Sequence, residues 1–129
     1  MPYGYLRENT ASYWLAIPAA SSSIHYPTNG QGGATTNSAN SQLVSCGASN
    51  PVILEAVEVG SCTTADQVRI YNSSGATELF VINVNVNAGT QWFPMGGAYG
   101  VQINQGFGAA VDSGSNLSGV KIYYRFADQ

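Results

Sequence analysis

The sequence predicts an all-β protein, an antiparallel β-sandwich or jelly roll of about eight short strands. Three observations support this prediction. Apolar and polar residues alternate in several short segments, which is the period of a β-strand. The breaks between these segments carry turn residues, as in NSSGAT, NAGT and DSGSN. No segment keeps the 3.6-residue period of an amphipathic helix, since glycine or proline interrupts each candidate.

The segment GVKIYYRF, near the C-terminal end, shows the alternation most clearly. Its apolar parity is expected to face a core and comprises Val120, Ile122, Tyr124 and Phe126. The opposite parity comprises Lys121, Tyr123 and Arg125. Half of the chain's four basic residues therefore lie on the outer side of one strand. This side is a candidate contact surface.

The remaining strands follow from the same reasoning. Strands are expected at 43–46, 51–59, 67–72, 78–86, 90–94, 98–104, 107–111 and 119–126. Trp92 and Phe93 are adjacent within one of them, so one ring should face the core and the other should face outward. An outward Trp92 can be a sugar platform or an interface anchor, or it can be covered by its own fold.

Residues 1–42 differ in composition from residues 43–129, which are expected to form the β-sandwich domain. The first part is rich in aromatic residues, and the stretch that follows is rich in Ser, Asn and Gly. The second stretch has so few apolar residues that their burial cannot offset the entropy lost when it becomes ordered. This predicts an extended N-terminal arm or an unstructured tail. In the arm interpretation the anchors on a partner are Tyr3, Tyr5, Tyr13, Trp14 and Tyr26.

Charge excludes one class of partner. Charged residues make up 9% of the chain and the formal net charge is −3, which is unsuited to nucleic acid. No segment is long and apolar enough to predict a membrane span. The start, MPYGYLRENT, lacks the pattern of a signal peptide, so export by the ordinary route is not expected and the chain is expected to be made in a cytoplasm. Cys46 and Cys62 are expected to be buried free thiols, with a disulfide as the less favoured alternative.

The sequence offers no catalytic constellation, so the chain is expected not to be an enzyme and to need no metal or cofactor. The single histidine, His25, is expected to be exposed or in a contact. Glu55 and Glu58 are three positions apart on one strand, which should place them on opposite faces. The glycine-rich segments MGGAYG and NQGFGAA do not precede a helix, so they do not predict a phosphate site.

The order of motifs in residues 51–126 resembles that of the small β-sandwich virion proteins of tailed bacteriophages. The segments that carry the resemblance are VRIYN (68–72), WFP (92–94), GFG (106–108) and VKIYY (120–124). It implies a capsid decoration, or cement, protein that bridges and stabilises neighbouring major capsid subunits on the virion surface. It also implies a homotrimer with an N-terminal arm. Partner contacts of the body are then expected at Trp92, Lys121, Tyr123 and Arg125.

A carbohydrate- or receptor-binding module of a phage head or tail fibre is the alternative interpretation. A β-sandwich fold serves lectins as readily as capsids, so the fold does not decide between them. A glycan site would require hydrogen-bonding groups to converge beside Trp92. The candidates named by the sequence are Asn104 and Asp112 in neighbouring loops.

Overall fold

The computed structural model describes residues 13–17, 22–27, 35–36, 52–96, 100–103, 106–113 and 116–126. The strands found there are β1 (Tyr13–Ile17), β2 (Tyr26–Pro27), β3 (Thr35–Thr36), β4 (Val52–Val59), β5 (Asp66–Asn72), β6 (Glu78–Val84), β7 (Gln91–Pro94), β8 (Val101–Ile103), β9 (Phe107–Val111) and β10 (Val120–Phe126). No helix occurs in these ranges, so the expectation of an all-β protein is confirmed.

A five-stranded antiparallel sheet forms one layer of the fold. Strand β10 lies between β1 and β4, and both β7 and β8 pair with the other edge of β4. The strand at the C-terminal end is therefore central in its sheet. This position explains why its apolar parity, from Val120 to Phe126, is buried in full.

A three-stranded antiparallel sheet, in the order β6-β5-β9, forms the other layer. The outer edge of β9 receives an isolated bridge between His25 and Ala109, next to β2. Two hydrogen bonds hold this bridge, from the His25 N–H to the Ala109 carbonyl at 2.8 Å and from the Ala109 N–H to the His25 carbonyl at 2.9 Å. Strands β2 and β3 pair with each other.

The core lies between the two sheets, which makes the fold an all-β sandwich. Its members come from both layers, for example Leu54 and Ile122 from the larger sheet and Val68 and Ile70 from the smaller one. An edge-to-face contact between Phe107 and Tyr124, with ring centroids 5.2 Å apart, joins the layers directly. The alternating pattern thus encodes the buried faces as expected.

The N-terminal segment requires a correction. The described parts of residues 1–42 pack on the sandwich instead of extending from it, because β1 pairs along its length with β10. Leu15 and Ile17 on β1 are buried in the core. Their contribution was missed because the arm was inferred from the low apolar content of residues 19–42, which follow this strand in the sequence. The predicted strand at 43–46 lies outside the described residues.

A β-bulge in β4 corrects a second expectation. Tyr123 pairs with Ala56, whereas the next residue, Tyr124, pairs with Leu54, so Glu55 is the extra residue. An extra residue reverses the parity of side chains on the far side of the bulge. Glu55 and Glu58 consequently lie on the same outer side of the sheet, and the prediction of opposite faces was wrong.

Three further features concern expectations from the sequence. Cys62 is buried, and its thiol donates a hydrogen bond to the Thr64 carbonyl at 3.1 Å, while Cys46 lies outside the described residues. None of the described segments is a helix long and apolar enough to cross a membrane. His25 is buried and pairs with Ala109 of β9, so of the two expected placements, exposed or in a contact, the exposed one is wrong.

Candidate functional site

The outer side of the five-stranded sheet brings together residues from both ends of the chain. The strand register places Trp14 opposite Tyr123 and Glu58 opposite Trp92. Three rings therefore gather there, and we call Trp14, Tyr123 and Trp92 the aromatic ridge. Trp92 points outward while Phe93 packs against the core, which confirms the expected division of that pair.

The rings of the ridge are in contact. The centroids of Trp92 and Tyr123 are 5.3 Å apart with a tilt of 42°. Those of Trp14 and Tyr123 are 6.3 Å apart with a tilt of 48°. Trp92 and Tyr123 belong to strands separated by β4, where Trp92 pairs with Glu58 and Tyr123 pairs with Ala56, so the two rings meet diagonally across β4. Tyr123 thus supports a tryptophan on each side, which holds the ridge in one arrangement.

Charged groups flank the ridge in pairs. The ammonium nitrogen of Lys121 lies 5.7 Å from the centre of the Trp14 ring, within the range of a cation–π contact. The Tyr123 hydroxyl donates a hydrogen bond to the Glu58 carboxylate at 3.3 Å. Burial, the negative charge of Glu58 and this hydrogen bond raise the pKa of the Tyr123 phenol. The phenol therefore remains a hydrogen-bond donor at any neutral or mildly basic pH.

Arg125 and Glu55 form an ion pair at the other end of this surface. The guanidinium nitrogen Nε lies 3.2 Å from Oε2 of Glu55, and both side chains are largely buried. The bulge in β4 makes this pair possible because it turns Glu55 toward the outer side. Charges on the surface thus already have partners in the folded chain, and a second protein would not need to supply them.

Trp92 is the most accessible member of the ridge. Its side chain is 55% exposed, although it is large and apolar. Exposed single apolar residues are common, but this one stands on a supported group of rings beside paired charges. That arrangement has the composition of a binding hot spot, in which Trp, Tyr and Arg are enriched.

A cleft of about 310 Å³ lies beside the ridge. Its polar lining comprises Glu58, Thr90, Ser118 and Lys121, and its small or apolar lining includes Ala16 and Gly60. Trp92 lies opposite Glu58 in the register and two residues after Thr90, which places it next to the cleft. Gly60 packs tightly against Ser118 in this lining, since a Cβ added at position 60 would lie 2.0 Å from Oγ of Ser118.

The structure divides the contact residues expected from sequence. Trp92, Lys121, Tyr123 and Arg125 share one surface, and Trp14 joins them there. Two of the expected arm anchors lie elsewhere. Tyr26 is buried in its own chain, and Tyr13 packs against Tyr124 with ring centroids 5.7 Å apart. Tyr3 and Tyr5 lie outside the described residues.

Asp112, one of the two polar partners proposed for a glycan site, does not lie beside Trp92. Asp112 follows β9 in the three-stranded sheet, where Arg69 donates to it at 2.6 Å and 3.1 Å. This hydrogen bond, with the charge of Arg69, lowers the pKa of Asp112. Asn104 lies outside the described residues. The groups next to Trp92 are instead Glu58 and Thr90, and Glu58 could have been found from its strand position.

Within the described residues, no three His, Cys, Asp or Glu side chains cluster as metal ligands would. His25 packs beside β9, and burial lowers the pKa of its imidazole. It lies next to Tyr26 and pairs with Ala109 of β9, on the opposite sheet from the ridge.

No protein-family model, curated protein or solved structure matches this chain. The function must therefore be argued from the ridge, the cleft and the sheet edges.

Proposed function

We propose that this chain is a non-enzymatic structural protein of a bacteriophage virion that decorates the capsid by binding the major capsid protein. The observation that supports the proposal is the aromatic ridge, in which the exposed Trp92 rests on Tyr123. The ridge is the contact surface, with Lys121 and Arg125 at its rim. The motif order of residues 51–126 is the reason for placing the partner in a capsid.

The chemistry of the ridge suits binding to a protein. Large aromatic side chains that are already held in place lose little conformational entropy on binding, so more of their buried area contributes to affinity. Arg125 is paired with Glu55, and Lys121 lies over the Trp14 ring. Docking therefore does not bury a positive charge that lacks a favourable contact in its own chain, which would be costly.

Stabilisation of the shell follows from mass action. A protein that binds the assembled capsid and not its separated subunits favours the assembled state. Each copy contributes a modest contact, and the contributions of many copies add up over the shell. No chemical step is needed.

The test is binding of the purified chain to expanded heads of the phage whose genome encodes it. We expect saturable binding and a higher temperature of head rupture. Trp92→Ala should weaken binding by about tenfold to a hundredfold, in the range of a hot-spot residue. Val86→Ala is the matched control, because Val86 is 63% exposed and lies outside the ridge. Absence of binding, or equal loss in both variants, would refute the proposal.

The cleft supports a second candidate function, the binding of a neutral carbohydrate. A tryptophan beside a cleft with hydroxyl, ammonium and carboxylate groups can stack on a sugar ring and hydrogen-bond its hydroxyls. Glu58 and Lys121 are opposite in charge and adjacent in the register, so the cleft selects no charged ligand.

A glycan array separates the two candidates. Carbohydrate binding requires both Trp92 and an open cleft, so it should be lost in Trp92→Ala and in Ala16→Phe, which fills the cleft. Capsid binding through the ridge requires Trp92 but not an open cleft, so Ala16→Phe should leave it unchanged. If no glycan binds to the wild-type chain, the carbohydrate candidate is excluded.

A further inference from the structure

One row of side chains crosses the outer side of the five-stranded sheet beside the cleft. Ala16 lies opposite Lys121, and Lys121 lies opposite Glu58. Glu58 in turn lies opposite Trp92. The row therefore runs from a small residue through a cation and an anion to an exposed aromatic ring. Neighbouring strands are about 4.8 Å apart, so each group stands one strand spacing from the next.

The two charges of this row do not neutralise each other. Opposite charges directly across a strand pair attract each other. No ion pair joins Lys121 to Glu58 within the described residues, where the cations found in ion pairs are arginines. The Lys121 ammonium lies instead over the Trp14 ring, and the Glu58 carboxylate accepts the hydrogen bond of the Tyr123 hydroxyl. A separate cation and a separate anion therefore line the same cleft.

This separation favours a ligand that carries both charges. A ligand with one charge would meet one attraction and one repulsion in the cleft, whereas a zwitterion in the right orientation meets two attractions. The order of the row sets that orientation. The anionic end belongs at Lys121, and Thr90 and Ser118 add hydroxyl donors there. The cationic end belongs between Glu58 and Trp92.

The aromatic ring indicates the kind of cation. Trp92 is 55% exposed, so its ring is open to a ligand, and tryptophan is the best ring for a cation–π contact. Quaternary ammonium groups are recognised in this way. We propose that the cleft binds a choline phosphodiester, with the quaternary ammonium between Glu58 and Trp92 and the phosphate at Lys121. The cleft volume of about 310 Å³ is at the lower end for ligand sites, which suits a small headgroup.

This ligand does not depend on the proposed capsid function, because binding to heads through the ridge needs no open cleft. It also differs from a neutral carbohydrate, which has no use for the separated charges. Added salt should therefore weaken binding of the choline phosphodiester, because the cleft is open to solvent and its charges are screened. The same salt should leave binding of a neutral sugar unchanged.

Titration of the full chain with glycerophosphocholine tests the inference. Both tryptophans of the chain belong to the ridge, so their fluorescence reports binding. We expect glycerophosphocholine to bind at least about tenfold more tightly than choline or dimethyl phosphate, because each of these carries only one of the two charges. No binding of glycerophosphocholine, or equal affinity for it and for choline, would overturn the proposal.

The same headgroup occurs in free solutes and in lipids, and vesicles of phosphatidylcholine distinguish the two sources. Sedimentation of the chain with these vesicles, reversed by glycerophosphocholine, would support the proposal with a membrane surface as the source. Binding of the soluble compound alone would support it with a solute as the source.

Two charge-neutralising variants test the orientation. Glu58→Gln should weaken glycerophosphocholine binding by about tenfold or more. Lys121→Gln should weaken it similarly but should strengthen choline binding, because a repulsive ammonium is removed. A merely structural role would not produce these opposite responses. Glu78→Gln removes a carboxylate from the other sheet and is the matched control, which should change neither. Equal effects of Glu58→Gln and Glu78→Gln, or weaker choline binding in folded Lys121→Gln, would refute the proposal.

Discussion

Leu15, near the start of the chain, lies directly opposite Ile122 of the C-terminal strand, and both side chains are fully buried. This pair closes one edge of the larger sheet. It shows that the core is completed by a strand from the segment whose composition suggested an arm. Trp14, the residue before Leu15, lies on the other side of the same strand and belongs to the aromatic ridge. The pairing of β1 with β10 therefore builds both the core and the candidate site.

Leu15→Ala is expected to lower the free energy of unfolding by about 2–5 kcal/mol, because it removes a buried side chain and leaves a cavity. Urea unfolding followed by circular dichroism measures the change. Ser22→Ala, at an exposed position of the same N-terminal segment, is the control and should change stability by less than about 0.5 kcal/mol. Equal, small effects would mean that β1 does not contribute to the core.

Gly108→Ala is expected to destabilise the fold by about 1–3 kcal/mol, as overpacking does. A Cβ at position 108 would lie 2.5 Å from Cε1 of Tyr26, whose ring covers the strand. The effect should shrink when Tyr26 is also changed to Ala, which a double-mutant cycle would measure. Gly89→Ala is the control, since its Cβ would meet only Asn87 Oδ1, at 3.6 Å. Additive effects at positions 108 and 26 would contradict the packing.

The stability of the chain is expected to fall as the pH decreases through about 6.5. Burial lowers the pKa of His25 in the folded state from its ordinary value of 6.5. Below that value the unfolded chain binds a proton at this imidazole more readily than the folded chain does, so proton binding stabilises the unfolded state relative to the folded one. His25→Gln should remove this dependence between about pH 7 and pH 5. His25 is the only histidine, so the difference between the two curves isolates it; parallel curves would contradict its burial.

The ion pair between Arg69 and Asp112 should stabilise the fold only above the acid range. In the folded state, the hydrogen bond from Arg69 lowers the pKa of Asp112 below its ordinary value of 3.8. The stabilisation that this pair contributes is therefore fully present above pH 3.8. It is lost as the pH falls through the lowered pKa. The wild-type chain and Arg69→Gln should therefore differ in unfolding free energy at pH 6 and converge near pH 2. The difference should be small and reduced by salt, because the pair is partly exposed. A difference that persists at pH 2 would assign the effect to packing.

Local patterns were sufficient for most of the strands. The alternation in Val120–Phe126 predicted which side chains are buried, and the adjacency of Trp92 and Phe93 predicted that one ring faces the core and the other faces outward. Both inferences rest on a period of two, which holds inside any regular strand. The same rule failed at Glu55 and Glu58, because the bulge that shifts their parity arises from pairing with β10 and leaves no mark in β4 itself.

The sequence by itself determined that the chain is built of β-strands, and it determined which parity of most strands is apolar. Only the tertiary structure decided that Trp14 reaches Tyr123, that Glu55 pairs with Arg125, and that β6 is left at an edge. The physical reason is that alternation is a property of neighbouring residues. Strand order and register depend instead on contacts between residues far apart in the chain, whose free energies are decided only when all the strands compete for partners.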